Sequence, residues 1–334
     1  MSENKNIKLS VLNLIPKFEG DTDIQAIQRA VDLIKIVEKL GYYRYWVAEH
    51  HNFKGVLSSA TAIIIQHLLA NSEKIRVGAG GVMLPNHTPL QVAETYGTLA
   101  TLYPDRVDLG LGRAPGTDSD TAALIYRVQY VQTAKFIEAI GDLQRFMGAE
   151  AEQSIVSAYP GINTNVPIYI LGSSVNSAHV AGELGLPYSF AGHFSPDAAE
   201  EAIQIYRNTF VPSKYLKEPY VILGLLVHGA DSDEEAERLY TATQQGMLKI
   251  IRGEKGLYPL PDKNFSDKLT SAEKIILQSK MGINLMGTKG TMKKKWDEIK
   301  RKYNPDEIMA VSYMSEIEQL RTSYEILAQV VKEK

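Results

Sequence analysis

Apolar and polar positions along the chain change period repeatedly, and each change marks an element. Lys8–Leu14 (KLSVLNL) and Tyr45–Ala48 are short apolar runs of strand length. Between them Ile24, Ile27, Val31, Ile34 and Val37 recur at helical spacing, so Asp23–Leu40 reads as a helix that closes at Gly41. The alternation continues through the first half. Ser59–Ala70 is a helix that Ser58 or Ser59 is placed to cap, Ile75–Gly80 a strand, Leu90–Leu102 a helix, Val107–Leu111 a strand, and Thr121–Met147 a long helical region. In the second half Pro167–Leu171, Tyr188–Ala191, Tyr220–Val227 and Glu307–Val311 read as strands. Helices read over Ser177–Leu184, Pro196–Phe210, Asp233–Gln245, Trp296–Lys302 and Ile317–Val331.

Eight strands alternating with helices predict an α/β chain folded as a (β/α)8 TIM barrel, one domain over residues 1–334. The other arrangement with this alternation is a doubly wound open sheet with an added domain. One segment breaks the rhythm. Lys249–Gly287 contains RGEKGLYPLPDKNF, of mixed polarity and with two prolines, between the seventh and eighth strands. It reads as an insertion, placed to act as a lid.

Composition narrows the function classes. Of 334 residues 44% are apolar, enough for a full core. Lys and Arg number 36 against 39 Asp and Glu, for a formal charge of −3. No basic surplus exists to neutralise a phosphate backbone, so no nucleic-acid partner is expected. The absence of cysteine excludes disulfides and thiolate chemistry. MSENKNIK has no apolar signal core and no run approaches 18 apolar residues, so a cytoplasmic protein without a membrane partner is expected.

Barrel enzymes carry their chemistry on loops that follow the C-terminal strand ends. The second strand runs into Glu49, His50 and His51, three ionisable groups that are costly to desolvate unpaired. His87 follows the third strand, Arg113 the fourth, Ser173, Ser174, Asn176 and Ser177 the fifth, and His193 the sixth, while His228 ends the seventh. Five of the seven histidines thus gather at one face, which favours a catalytic mouth. The plainer readings are a polar loop for Glu49–His51 and a simple helix cap for the serines. No carboxylates stand at metal-ligand spacing beside the histidines, so no metal site is read.

LGSSVNSA, where the fifth strand meets its helix, offers hydroxyls and backbone N–H groups to an anion, and Arg113 adds a guanidinium fork for the same phosphate. GLGRAPG has its glycines at GxGxxxG spacing after the fourth strand, which is not a dinucleotide fingerprint. Gly80-Gly81 in VGAGGVMLP either serves a turn or lets backbone approach a flat ligand.

Taken in order, WVAEHHN, VGAGGVMLPNHTPLQVAE, YPDRVDLGLGRAPGTD, PIYILGSS and RTSYEILAQ resemble the landmarks of the bacterial luciferase-like flavin-dependent monooxygenases over nearly the full length. The chain is most similar to the stand-alone proteins with EHHN and GLGRAPGTD. The resemblance implies a barrel that holds FMN. It implies an acid–base role for His50, with His51 beside it. It places the pair under the isoalloxazine ring, often joined by a non-prolyl cis peptide, on Gly80-Gly81. It places the phosphate-binding arginine on Arg113 and the strand-five group on Ser173, Ser174 and Ser177, with Leu171 among the cofactor contacts. The light-emitting subunits carry a cysteine where this chain has Gly112 and an acidic residue where it has Ser173, which argues against light emission.

The implied reaction is oxidation of a small organic substrate by reduced FMN and O2 through a flavin C4a-(hydro)peroxide. No nicotinamide fingerprint is present, so a separate flavin reductase is the expected source of reduced FMN, and the resemblance implies a homodimer. Two other readings are an F420-dependent hydride-transfer oxidoreductase of the same barrel family and a non-catalytic flavin-binding protein.

Overall fold

A computed structural model of the chain describes residues 6–126 and 132–333. It contains the parallel strands β1 (Lys8–Asn13), β2 (Arg44–Val47), β3 (Arg76–Met83), β4 (Val107–Gly112), β5 (Ile168–Gly172), β6 (Tyr188–Phe190), β7 (Val221–Gly229), β8 (Asn284–Gly287) and β9 (Glu307–Val311). All but β8 form a closed (β/α)8 barrel in the order β1-β2-β3-β4-β5-β6-β7-β9, with β9 returning to β1. The helices are α1 (Asp23–Lys39), α2 (Thr61–Ala70), α3 (Pro89–Leu102), α4 (Ser119–Tyr126), α5 (Thr133–Met147), α6 (Val175–Glu183), α7 (Ala199–Thr209), α8 (Asp233–Ile251), α9 (Ser271–Lys280), α10 (Lys289–Tyr303) and α11 (Ile317–Lys332).

The strands are apolar on both faces because both faces are covered. Leu9, Val11, Tyr45, Val47, Val77, Leu109, Leu223 and Leu225 pack against the helices, while Leu12, Trp46, Tyr169, Ile222, Leu226 and Met309 fill the barrel interior. Local signals set the helix ends. Thr22 and Gln25 form a capping box on α1, and Gly41, at φ +76°, follows its end. The expected serine cap on α2 is not made. Its N-cap is Ala60 without a side-chain bond, because the Ser59 hydroxyl instead donates to the His50 carbonyl at 2.8 Å.

The narrow N-terminal end of the barrel holds a buried charge network. Arg44 Nη1 donates to Asp108 Oδ2 at 2.8 Å and Nη2 to Glu307 Oε2 at 3.2 Å. Arg76 donates twice to Asp108 Oδ1, Trp46 Nε1 adds a bond to Oδ2, and the Tyr220 hydroxyl reaches Glu307 at 2.7 Å. Two cations meet two carboxylates, and all four are held by more than one bond.

Residues 249–287 depart from the expected plan. Helix α8 continues to Ile251, and the segment ends in the additional strand β8, which pairs with Leu226–Gly229 of β7. Four residues are too few to declare a period, so β8 left no trace in the pattern. Before that strand the segment leans on the mouth. Tyr258 exchanges backbone hydrogen bonds with Lys17 and Glu19, and its ring stacks on Tyr313 at 4.9 Å. Lys255 reaches Asp118 at 3.1 Å. The segment therefore touches the loops after β1, β4 and β9.

Candidate active site

The polar end of β2 is resolved by pairing. Glu49 is 2% exposed, yet both its oxygens are used. His51 Nε2 donates at 2.9 Å, His87 Nε2 at 3.0 Å, Asn86 Nδ2 at 3.0 Å and the Met83 N–H at 3.0 Å. Burial alone would raise the pKa of Glu49, but the bonds from His87, His51 and Asn86 outweigh it and hold the carboxyl below its ordinary value. Glu49 is thus an ionised hub that ties the loop after β2 to the loop after β3.

His50 stands beside this hub. Its Nδ1 donates to the Gly116 carbonyl at 3.1 Å, so in the neutral ring the bare nitrogen is Nε2. Burial lowers its pKa and His51 pushes the same way, against the Gly116 bond and the Glu49 charge. The third glycine of GLGRAPG now has a role. Gly116 has φ +67°, and a Cβ there would stand 2.7 Å from the Glu49 carbonyl oxygen.

Gly80-Gly81 lies in β3, joined by a cis peptide bond. A Cβ on Gly80 would meet Leu12 and Trp46 at 2.9 Å, and one on Gly81 would stand 2.7 Å from the Gly110 carbonyl oxygen. The neighbour of Gly81 is backbone and cannot rotate away. Gly81→Ala is therefore expected to cost about 1–3 kcal/mol of stability, the usual size of overpacking. An unchanged urea-unfolding midpoint would contradict the packing.

Arg113 crosses to the start of α6. Its Nη1 donates to the Thr133 hydroxyl at 2.6 Å. In the amide orientation that satisfies both partners, the Asn176 side-chain oxygen accepts from Nη1 at 2.8 Å and Nη2 at 3.2 Å. Ser173 and Ser174 are exposed there, and Ser174 is the α6 N-cap but makes no side-chain capping bond. The first N–H groups of α6 are left without a side-chain acceptor. Ser177 is turned inward, with its hydroxyl on the Ser174 carbonyl at 2.6 Å and on the Tyr188 hydroxyl at 2.9 Å. Leu171, half-buried, packs with the interior cluster near Gly110.

The five mouth histidines divide. His50, His51 and His87 meet around Glu49, and His193 follows β6. His228 is wholly buried, because β7 runs on to Gly229 and carries it inside the sheet. Its Nε2 pairs with the Thr243 hydroxyl at 2.9 Å, and burial pushes its pKa down to about 3. Sequence reasoning passed over Asn86 and Thr133, whose partners lie in other loops and leave no local signal.

The geometry has a counterpart in a known family. The profile of the luciferase-like monooxygenase family matches residues 7–274. The chain belongs to that family. It is 46% identical to the uncharacterized protein YddN of Bacillus subtilis over 98% of this chain and 97% of that one. It is 40% identical to a luciferase-like monooxygenase of Escherichia coli K12 over 99% and 98%. Among solved structures it is similar to apo-MsnO8, with a TM-score of 0.91, 29% identity and coverage of 98% and 99%. Two remoter structures share the fold alone. One is the oxygenating constituent of 3,6-diketocamphane monooxygenase from Pseudomonas putida in complex with FMN, at 15% identity, TM-score 0.68 and coverage of 98% and 99%. The other is an F420-dependent secondary alcohol dehydrogenase with an F420-acetone adduct, at 14% identity, TM-score 0.66 and coverage of 98% and 100%.

Proposed function

We propose that this protein is an FMN-dependent monooxygenase that uses O2 to oxidise a small organic substrate. The observation that carries the reading is the fork of Arg113 and Asn176 at a helix start whose first N–H groups lack a side-chain cap. Cation, amides and helix dipole converge there on one anion, which suits the phosphate of FMN. The side-chain-free Gly80-Gly81 stretch of β3 suits the approach of a flat ring. Bound FMN, delivered reduced by a separate reductase, supplies the reactivity toward O2.

The chain's own residues then position and protect. His50 holds its proton at Nδ1 on the Gly116 carbonyl and offers Nε2 as an acid–base atom at the mouth, with His51 fixed beside it by Glu49. Ser173 and Ser174 flank the phosphate position, with Ser177 behind them and Leu171 on the wall below. Residues 249–287 act as a lid that excludes water, resting on the loops after β1, β4 and β9. The active form is a homodimer in the cytoplasm.

Arg113→Ala tests the phosphate site. It is expected to weaken FMN binding by roughly 1.5–3 kcal/mol, the size of a hydrogen bond to a charged group, and to leave riboflavin binding nearly unchanged. Equal losses for the two flavins would remove Arg113 from the phosphate. Oxygen uptake with reduced FMN over a panel of small organic substrates tests the reaction. F420 reduction by an alcohol without oxygen uptake would assign hydride transfer instead.

A further inference from the structure

His193 sits where the topology makes it conspicuous. It follows β6, which lies four strands around the eight-strand ring from β2, so it stands on the wall opposite His50. Three glycines shape its seat. A side chain at Gly224 on β7 would collide with the His193 ring at Nδ1, and one at Gly282 would collide with its backbone. A Cβ on Gly192 would stand 2.7 Å from the Gly224 carbonyl oxygen. The Ile283 N–H donates to the Gly192 carbonyl at 2.8 Å, so the lid segment fixes the loop that bears the histidine.

The ring held with this care has no hydrogen bond to any described residue. Nδ1 is fully buried and unpartnered against Gly224, while Nε2 is the nitrogen that is not sealed in. A buried N–H without an acceptor is rarer than a bare buried nitrogen, so the proton belongs on Nε2. We propose that His193 is a further cofactor-binding residue, which donates its Nε2–H to an acceptor atom of the isoalloxazine ring from the wall opposite His50. The inference rests on the flavin reading above. Burial lowers the pKa of His193 to about 4, with His50 pushing the same way, so at neutral pH the ring is an uncharged donor.

The test follows histidine ring signals by 15N-edited NMR as FMN is added to the wild-type protein, with His193→Gln used to assign its resonances. The proton is expected on Nε2, and FMN is expected to move the His193 signals while those of buried His228 stay in place. In fluorescence titrations His193→Ala should bind FMN roughly three- to tenfold more weakly, the size of one net hydrogen bond. His193→Gln, whose amide nitrogen reaches the Nε2 position, should recover part of that loss. FMN saturating the wild type with the His193 signals unmoved would overturn the proposal, even if His193→Ala does not fold. So would wild-type affinity in a folded His193→Ala. A wild type that binds no FMN at all would instead overturn the flavin reading, and this inference with it.

Discussion

Asp108→Asn is expected to cost about 3–5 kcal/mol of folding stability, the usual consequence of removing one partner from a buried ion pair. Asp108 is wholly buried and receives bonds from Arg44, Arg76 and Trp46. Arg44 is itself 1% exposed. Burial works against its charge, and Asp108 and Glu307 together more than restore it, raising its pKa well above the ordinary value. With a neutral asparagine one carboxylate, Glu307, remains for two guanidinium groups. Asparagine keeps the shape of the side chain, so the loss reports charge rather than a cavity. The network lies at the strand starts and the proposed flavin site at the strand ends. FMN affinity of the folded variant should therefore stay within about twofold of wild type, well under the tenfold that 1.4 kcal/mol would give. Urea unfolding and FMN titration of the same sample make both measurements. A stability loss below about 1 kcal/mol would mean that the network can relax around the missing charge.

This network also marks where sequence reasoning reaches its limit. The strands carrying Asp108 and Glu307 were legible because both their faces are apolar. The two carboxylates inside them were not legible as a pair with Arg44, which lies 64 and 263 residues away along the chain. The barrel order was readable for the opposite reason. It depends on local periods and on stops such as Gly41, each of which acts within one turn of helix, whereas the Thr22 cap was not read and the expected serine cap on α2 is not made. The strand β8 failed that criterion because NLMG is too short to show a period.

The site divides in the same way. Strand-end position alone drew attention to Glu49–His51, Arg113 and the strand-five serines, and the fold brings Arg113 to the start of α6. What each side chain does there depends on rotamer and on neighbours from other loops. Ser177 faces Tyr188, Glu49 is satisfied by residues of the loop after β3, and Gly116 is required by the Glu49 backbone. His228 looked like a mouth residue because the apolar run stops at Val227. The strand continues two residues further, and that extension buries it.

Its burial leads to the second large effect, a loss of stability in mild acid. Unfolded histidines take up protons near pH 6.5. In the folded chain burial pushes His228 down to about 3, so between these values the unfolded state holds the proton and the folded state does not. Stability then rises with pH, by about 1.4 kcal/mol per unit for one such group. The contribution of His228 is complete above pH 6.5 and is lost progressively as the pH falls toward 3. His193, lowered by burial to about 4, and His50, also lowered by burial, act with the same sign, so His228 is one of three histidines that contribute to this slope. Glu49 also has the same sign, since its folded pKa is lowered, but its window opens only near the unfolded carboxyl value of about 4.3. The slope from pH 6.5 to 5 is therefore a histidine signature. His228→Leu should reduce that slope in urea-unfolding free energy by about 1.4 kcal/mol per pH unit. It also strips the Thr243 hydroxyl of its partner, a cost that is the same at every pH and leaves the slope alone. Equal slopes in the variant and the wild type would show that His228 is protonated in the folded chain or reached by water, and would rule out its burial as the source of acid sensitivity.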